Sequence, residues 1–376
     1  MCEEIIKNPY RRVWACVNLD ALHDNLRQIA ACRKNDAGII AVIKADGYGH
    51  GAVMLAREMD EIPEVIGYAV ATEEEAVLLA DAGIKKPAMV LGYTFPEAYE
   101  EMALRGVHAT VFTDQMLEDM NCAAQKAGKK MHVHIAVDTG MSRIGIRPDD
   151  EGLSFVARAM QCPNLSIDGI FTHFATADEA DKSKTNVQYE KFSSFTDRVE
   201  KELSLKIPLR HCSNSASILE LPDMHMDAVR AGIILYGMWP SDEVKRDGIV
   251  LEPLLSLKSR IAYIKELDAG QEISYGGTFR TAHPMRVATI PVGYADGYLR
   301  TGSGKAQVLL GGVKAPVLGP AAAQMVKVMG RYRYHLTIRA KDCARWRRLI
   351  SGVLREFMQD GKNRGVTVFA DSNNEM

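Results

Sequence analysis

The chain has 376 residues, 47% hydrophobic and 25% charged, with a formal net charge of −2. That length exceeds one small domain and fits a large barrel plus a second module, or two mid-sized domains. The near-neutral balance gives no sign of a nucleic-acid partner, and no apolar run is long enough to cross a membrane. The opening MCEEIIKNPYRR is too polar for a signal peptide. The seven cysteines show no C-x-x-C and no paired spacing, which indicates a reducing, cytoplasmic setting and no disulfide frame.

The stretch VWACVNLDALHDNLRQIAACR reads as an initial strand and helix, residues 12–35, expected to pack with a later β domain. Eight apolar runs follow: GIIAVIKA, VIGYAVAT, AMVLGYT, HATVFT, MHVHIAVD, IDGIFTHFA, LRHCSNS and DAVRAGIILYG. Helical patterns such as EEEAVLLADAG, MLEDMNCAAQKAG and KFSSFTDRVEKELSL lie between them. Strands alternating with helices predict parallel βαβ units and a (β/α)8 TIM-type barrel over 12–240. After YGMWPS the pieces SLKSRIAYIKEL, EISYGGTF, MRVATIPVGYADGY and AQVLLGGVKAPVLG are β-rich with Gly-Gly and Pro turns. They predict an all-β domain over 245–319. Residues 320–376 form a third region with eleven Lys+Arg against five Asp+Glu, a basic tail unlike the rest.

Working side chains of a barrel enzyme sit at the C-terminal ends of its strands. Lys44 ends the first barrel run, and a desolvated amine there can form an imine with an aldehyde cofactor. The plainer alternative is a lysine snorkelling at a strand end. Gly47, Gly49 and Gly51 permit a tight turn close to a ligand. His132 and His134 share a strand face, yet no carboxylate or cysteine completes a metal site there, so no metal is expected. TGSGKA lacks the glycine spacing and the Ser/Thr of a phosphate loop.

AVIKADGYGHGA, residues 41–52, closely resembles the pyridoxal-phosphate lysine motif of the alanine racemase family. VDTGMSRIGI (137–146), GIFTHFATAD (169–178), HCSNSAS (211–217), VRAGIILYG (229–237), ISYGGTF (273–279) and IPVGYADGY (290–298) resemble that family's blocks in order. The resemblance spans residues 10 to 319. It implies pyridoxal 5'-phosphate held by Lys44, and catalysis by Lys44 and Tyr275 on opposite faces of the substrate Cα. His173 would hydrogen-bond Tyr275, Arg230 would face the pyridine nitrogen, and Tyr48 would bond the phosphate. Arg143 would lie near the cofactor phenolate and the substrate carboxylate, and Tyr294 and Asp296 at the entry.

A phosphate-bearing cofactor in such a barrel sits against the loops after strands 7 and 8. Asn214 and Ser215 follow the seventh run, and Arg230, Gly232 and Ile233 lie on the eighth, where Gly232 lets backbone N–H groups approach. Each residue also has a plainer role: helix N-cap for Ser215, core tyrosine for Tyr48, surface ion pair for Arg230, cross-strand residue for Tyr275, satisfied core histidine for His173, β-turn for Asp296. Asp138 is expected to orient loop backbone, and His211 either packs beneath the cofactor ring or bonds a neighbour. Ala136 stands where some family members carry a carbamylated lysine, so an anion or water would position Arg143 instead.

In the family, Tyr275 and His173 come from different subunits, implying a homodimer with shared sites. The expected activity is interconversion of L- and D-alanine, which supplies D-alanine for peptidoglycan. The alternatives are a racemase or decarboxylase of other specificity and an inactive cofactor-binding homologue. The last rests on VLGPAAAQMVKVMG, which stands where the family has Gly-Arg-x-Cys-Met-Asp-Gln, and on the lack of a later Asn-Tyr-Glu. A shift of reading frame, or other divergence, over 320–376 would account for both and for the basic composition; a functional basic tail is the other reading.

Overall fold

The computed structural model describes residues 12–319 together with the short strands Lys327–Val328 and Arg331–Tyr332. The remainder of the basic 320–376 region, and with it the expectation of a frameshift, lies outside the described residues. The chain divides into two compact units at Arg260/Ile261.

The first unit opens with β1 (Val13–Val17) and α1 (Leu19–Cys32), whose N-cap Asn18 accepts from the N–H groups of Asp20 and Ala21. Eight strands follow: β2 (Gly38–Val42), β3 (Val65–Val70), β4 (Ala88–Val90), β5 (Ala109–Val111), β6 (Met131–Ala136), β7 (Leu165–Phe171), β8 (Arg210–His211) and β9 (Ala228–Ala231). They form one parallel sheet in the order β4-β3-β2-β9-β8-β7-β6-β5. The sheet closes on itself at His108, whose N–H donates to Ala88 O and whose carbonyl accepts from Val90 N–H, both at 2.9 Å. The predicted (β/α)8 barrel is therefore present.

The helices between strands are set by local chemistry. Thr72, Thr113 and Asp149 cap Glu73–Asp81, Asp114–Ala127 and Asp150–Met160 through their side-chain oxygens. Most residues on both faces of these strands are buried, with Ile66 on β3 an exposed exception, which explains the nearly continuous apolar runs. Along β2, Ile39, Ala41 and Ile43 face the layer of helices, while Ile40 and Val42 join Ala69, Met89, Ala136, Phe171 and Ala228 inside the barrel.

The β domain was expected to begin near residue 245, but the division falls later. Val244, Ile249 and Leu254 are buried in the first unit, and β10 (Leu255–Ser259) pairs antiparallel with β1. Among the described residues the second unit contains four antiparallel pairs. These are β11 (Tyr263–Leu267) with β14 (Met285–Thr289), β12 (Glu272–Ile273) with β13 (Phe279–Arg280), β15 (Gln307–Leu310) with β16 (Val313–Pro316), and Lys327–Val328 with Arg331–Tyr332.

Candidate active site

Lys44 stands where the β2 ladder ends: Ile43 N–H still donates to Ala69 O, and then the chain turns. Residues Lys44–Gly49 form one turn in which Ala45, Asp46, Gly47 and Tyr48 all have left-handed dihedrals, with φ of 53°, 52°, 61° and 51°. Each non-glycine residue there costs about 1–2 kcal/mol, so the turn needs external ties. Glu75 provides one of them: its Oε1 accepts from Ala45 N–H at 2.7 Å, while Oε2, accepting from Ala71 N–H at 2.8 Å, ties the same carboxylate to the segment just after β3. Asp46 Oδ1 accepts from Ala52 N–H at 2.8 Å. The half-buried Lys44 leaves this turn with Nζ 5.9 Å from the centroid of the Tyr48 ring.

The Tyr48 ring packs edge-on against Tyr236, with centroids 5.0 Å apart, and burial pushes its hydroxyl pKa up. Its hydroxyl converges with residues from the ends of β8 and β9. A Cβ placed on Gly232 would lie 3.3 Å from Ser215 Oγ, 3.8 Å from Tyr48 Oη and 3.9 Å from Val42 Cβ. Ser215 Oγ accepts from Gly232 N–H at 3.1 Å. The helix N-cap is Asn214 and not Ser215: Asn214 accepts from Ser217 N–H, and Ser217 Oγ accepts from Asn214 N–H. Asn214 thus fixes the turn that presents Ser215, while Ile233 starts the 3-10 turn Ile233–Tyr236.

Arg230 is 2% exposed, in the barrel interior. Its Nη1 donates to His211 Nδ1 (2.8 Å) and His211 O (3.0 Å). Its Nη2 donates to Thr172 O (2.8 Å) and Cys212 O (3.0 Å) and lies 3.3 Å from His173 Nδ1. It is not the surface ion pair of the plainer reading. Burial lowers its pKa to about 10, still well above neutrality. Burial, then the charges of Arg230, Arg143 and Lys44, bring His173 down to about 3, so it is a neutral imidazole. His211 stacks on Phe171 at 5.1 Å and bonds both Arg230 and His134.

Arg143 is exposed on the loop after β6. Asp138 shapes that loop, its Oδ1 accepting from Gly140 N–H at 3.0 Å and Ser142 N–H at 2.9 Å. Tyr275 begins the 3-10 turn Tyr275–Gly277 in the second unit. Tyr294 begins another there, Tyr294–Asp296, where Asp296 accepts from Gly293 N–H at 3.0 Å.

One expectation is corrected. A carboxylate does accompany the strand histidines: Asp168 Oδ2 lies 2.7 Å from His132 Nδ1 and 3.8 Å from His108 Nε2. Asp168 lies on β7, beside β6, so the partnership follows from strand adjacency and not from neighbouring sequence. Pairing β6 with β7 in parallel register would have been the signal that finds it.

A closed parallel barrel with a lysine on a strained turn, a small polar cradle beside it and a buried arginine, followed by a β unit, defines a barrel-type amino-acid racemase, an isomerase. The family profile described as "Alanine racemase, N-terminal domain" matches residues 17–240, and "Alanine racemase, C-terminal domain" matches 254–343, past the 319 at which the sequence resemblance ended. The chain is 44% identical over 312 residues to an alanine racemase of Clostridium perfringens, covering 82% of this chain and 79% of that one. The alanine racemase of Clostridium difficile 630 superposes with TM-score 0.78 at 39% identity, covering 83% and 81% of the two chains. A histidine racemase from Leuconostoc mesenteroides subsp. sake superposes with TM-score 0.72 at 27% identity, covering 79% of each. The chain belongs to the alanine racemase family.

Proposed function

We propose that this protein interconverts L- and D-alanine with pyridoxal 5'-phosphate. The observation that carries the reading is the convergence of Ser215 Oγ, Tyr48 Oη and the side-chain-free face of Gly232 beside the turn that presents Lys44. A small cradle of hydroxyls and backbone fits a phosphate, and a nearby strand-end amine fits the aldehyde of the same molecule. When bound, that cofactor supplies an aldehyde for the lysine amine and an electron-withdrawing ring that acidifies the substrate Cα–H.

The chain's own residues do the rest. Lys44 Nζ moves a proton on one face of Cα, and the Tyr275 hydroxyl on the other. Arg230 only donates hydrogen bonds, so a ring nitrogen facing it stays unprotonated. Neutral His173 takes a hydrogen bond at Nδ1 from Arg230, which leaves Nε2–H to donate towards the Tyr275 base. Arg143, a planar fork, suits a substrate carboxylate, and Tyr294 belongs to the entry. Tyr275 delivered from a partner subunit makes the working unit a homodimer. Among the described residues no helix is long and apolar enough to cross a membrane; we place the enzyme in the cytoplasm, its D-alanine serving peptidoglycan.

Likeness to a histidine racemase supports one second reading, the same chemistry on another amino acid. The test is a D-amino-acid-oxidase coupled assay on L-alanine and a panel of L-amino acids, with the visible spectrum of wild type and Lys44→Ala. Turnover of alanine with a lysine-bound cofactor band, both lost in the variant, is expected. Preference for another amino acid would favour the second reading. A band without turnover on any substrate would make the protein an inactive homologue, and no band would remove Lys44 from its role.

A further inference from the structure

Four side chains run through the barrel in one hydrogen-bonded line. Arg230 Nη1 donates to His211 Nδ1 at 2.8 Å. His211 Nε2 lies 3.1 Å from His134 Nδ1, and His134 Nε2 lies 3.2 Å from His108 Nδ1. His108 Nε2 then faces Asp168 Oδ2, the oxygen that His132 also holds. The line starts among the site residues at the C-terminal ends of the strands. It finishes at the opposite mouth, where His108 directly precedes β5 and His132 is the second residue of β6.

A guanidinium has donors and no acceptor. His211 Nδ1 must therefore accept, which puts the His211 proton on Nε2. That proton points at His134 Nδ1, so His134 also carries its proton on Nε2, and the same step fixes His108. Reversing any one ring would set two N–H groups, or two lone pairs, face to face inside the barrel, at the cost of a lost buried hydrogen bond. The neutral state agrees with burial, which holds His211 well below its ordinary pKa, His134 at about 3 and His108 at about 4. Space for the central ring is made by Gly169, where a Cβ would sit 2.5 Å from His134 Nδ1.

His108, His132 and Asp168 are also the one group of three metal-ligating side chains within reach of each other among the described residues. Two features speak against an ion there. The rings of His108 and His132 are stacked at 13°, so their in-plane lone pairs do not converge. The direction of the line also gives His108 Nε2 a proton in place of a lone pair.

We infer that His134 and His108 are positioning residues for the racemase site: with His211 they form a one-directional imidazole relay that anchors the Arg230 guanidinium from the far mouth of the barrel. The relay rests on the reading of Arg230 as a site residue, but its polarity does not. No proton travels along it. Its effect is to keep the His211 acceptor aimed at Arg230, because each bond polarises the next.

The first test is 15N NMR of the holoprotein with ring-labelled histidine. His211, His134 and His108 are expected as neutral Nε2–H tautomers at neutral pH. An Nδ1–H tautomer or an imidazolium at any of the three would overturn the relay, whatever the activity. The second is kinetic. His134→Leu, and His108→Leu at the less buried end, should lower kcat for alanine about tenfold, as the loss of one buried hydrogen bond predicts. KM should move little, and the His211 ring signal should shift. His134→Gln, whose amide can accept and donate, should restore part of kcat. Folded variants with unchanged kcat and an unmoved His211 signal would refute the positioning role. Stoichiometric binding of Zn2+ that is lost in Asp168→Asn would refute the assigned polarity.

Discussion

Glu75 accepts from Ala45 N–H inside the Lys44 turn and from Ala71 N–H just past β3, and no residue-level pattern marked it, because its partners Ala45 and Ala71 offer only backbone. Both bonds are exposed, so Glu75→Ala should cost no more than about 1 kcal/mol of stability. The larger effect should fall on the strained turn: the variant is expected to lose cofactor on dialysis faster than wild type, read as decay of the visible band. Equal retention would mean that the turn holds itself. Two glycines separate site from scaffold in the same way. Gly232→Ala places a methyl in the cradle against Ser215 Oγ and Tyr48 Oη, and should weaken cofactor binding with little change in melting temperature. Gly145→Ala faces a φ of 120° and a Cβ only 2.6 Å from Asp138 N, and should destabilise the fold by several kcal/mol. A thermal melt of each, with and without added cofactor, distinguishes the two outcomes. Lys44, His173 and Arg230 were legible because motif and strand end coincide. His211 was legible as a residue bonding a neighbour, but the line from it through His134 and His108 to Asp168 was not, since His134 meets His211 across 77 positions of sequence.

At the scale of elements, all eight barrel strands were legible as apolar runs, and each run overshot or misjudged its strand. GIIAVIKA continues past Val42, where the backbone turns left-handed, and AMVLGYT continues past Val90. The overshoot has a cause: Ile43 and Leu91, just past β2 and β4, stay packed against the core, so the apolar pattern outlasts the strand. The long helix Ser183–Leu203 begins eight residues before KFSSFTDRVEKELSL because SKTNVQYE lacks an unbroken apolar stripe. The late domain division has its own anchor. Buried Asn25 on α1 donates from Nδ2 to Leu235 O and Glu252 O, and its Oδ1 accepts from Glu252 N–H at 2.8 Å. This clamp ties the segment before β10 to the first helix. Asn25→Leu should strand those backbone groups and cost about 2–3 kcal/mol, lowering the urea midpoint; a midpoint within error of wild type would show that water satisfies them.

For the whole molecule, the histidines fix how stability depends on pH. His173 and His134 are held near about 3 and His108 near about 4, in each case chiefly by burial. Unfolded, each titrates near ~6.5. Between those values the unfolded chain binds protons that the folded chain refuses, so stability is complete above ~6.5 and falls as pH drops towards the folded values. Each histidine contributes a slope approaching ~1.4 kcal/mol per pH unit in that window. His132 opposes them: the hydrogen bond to Asp168 raises its pKa, so its contribution is present at low pH and is lost as pH rises through the raised value. Asp168 acts only lower down. Burial works to raise it, but hydrogen bonds from His132 and Ser166 outweigh that and hold it at about 2, so its contribution persists until pH falls below the ordinary carboxylate range. His211 and His225, also lowered chiefly by burial, act in the same direction, so five depressed histidines against one raised one give a net loss of stability on acidification. Urea midpoints of the holoprotein should therefore be flat from pH 8 to 7 and fall steeply between pH 6 and 4.5. His108→Leu should shallow the fall, since it removes one proton-refusing ring. A midpoint that stays constant down to pH 4.5 would mean that the barrel interior accepts charge, and the neutral histidine line could not then be the state of the folded protein.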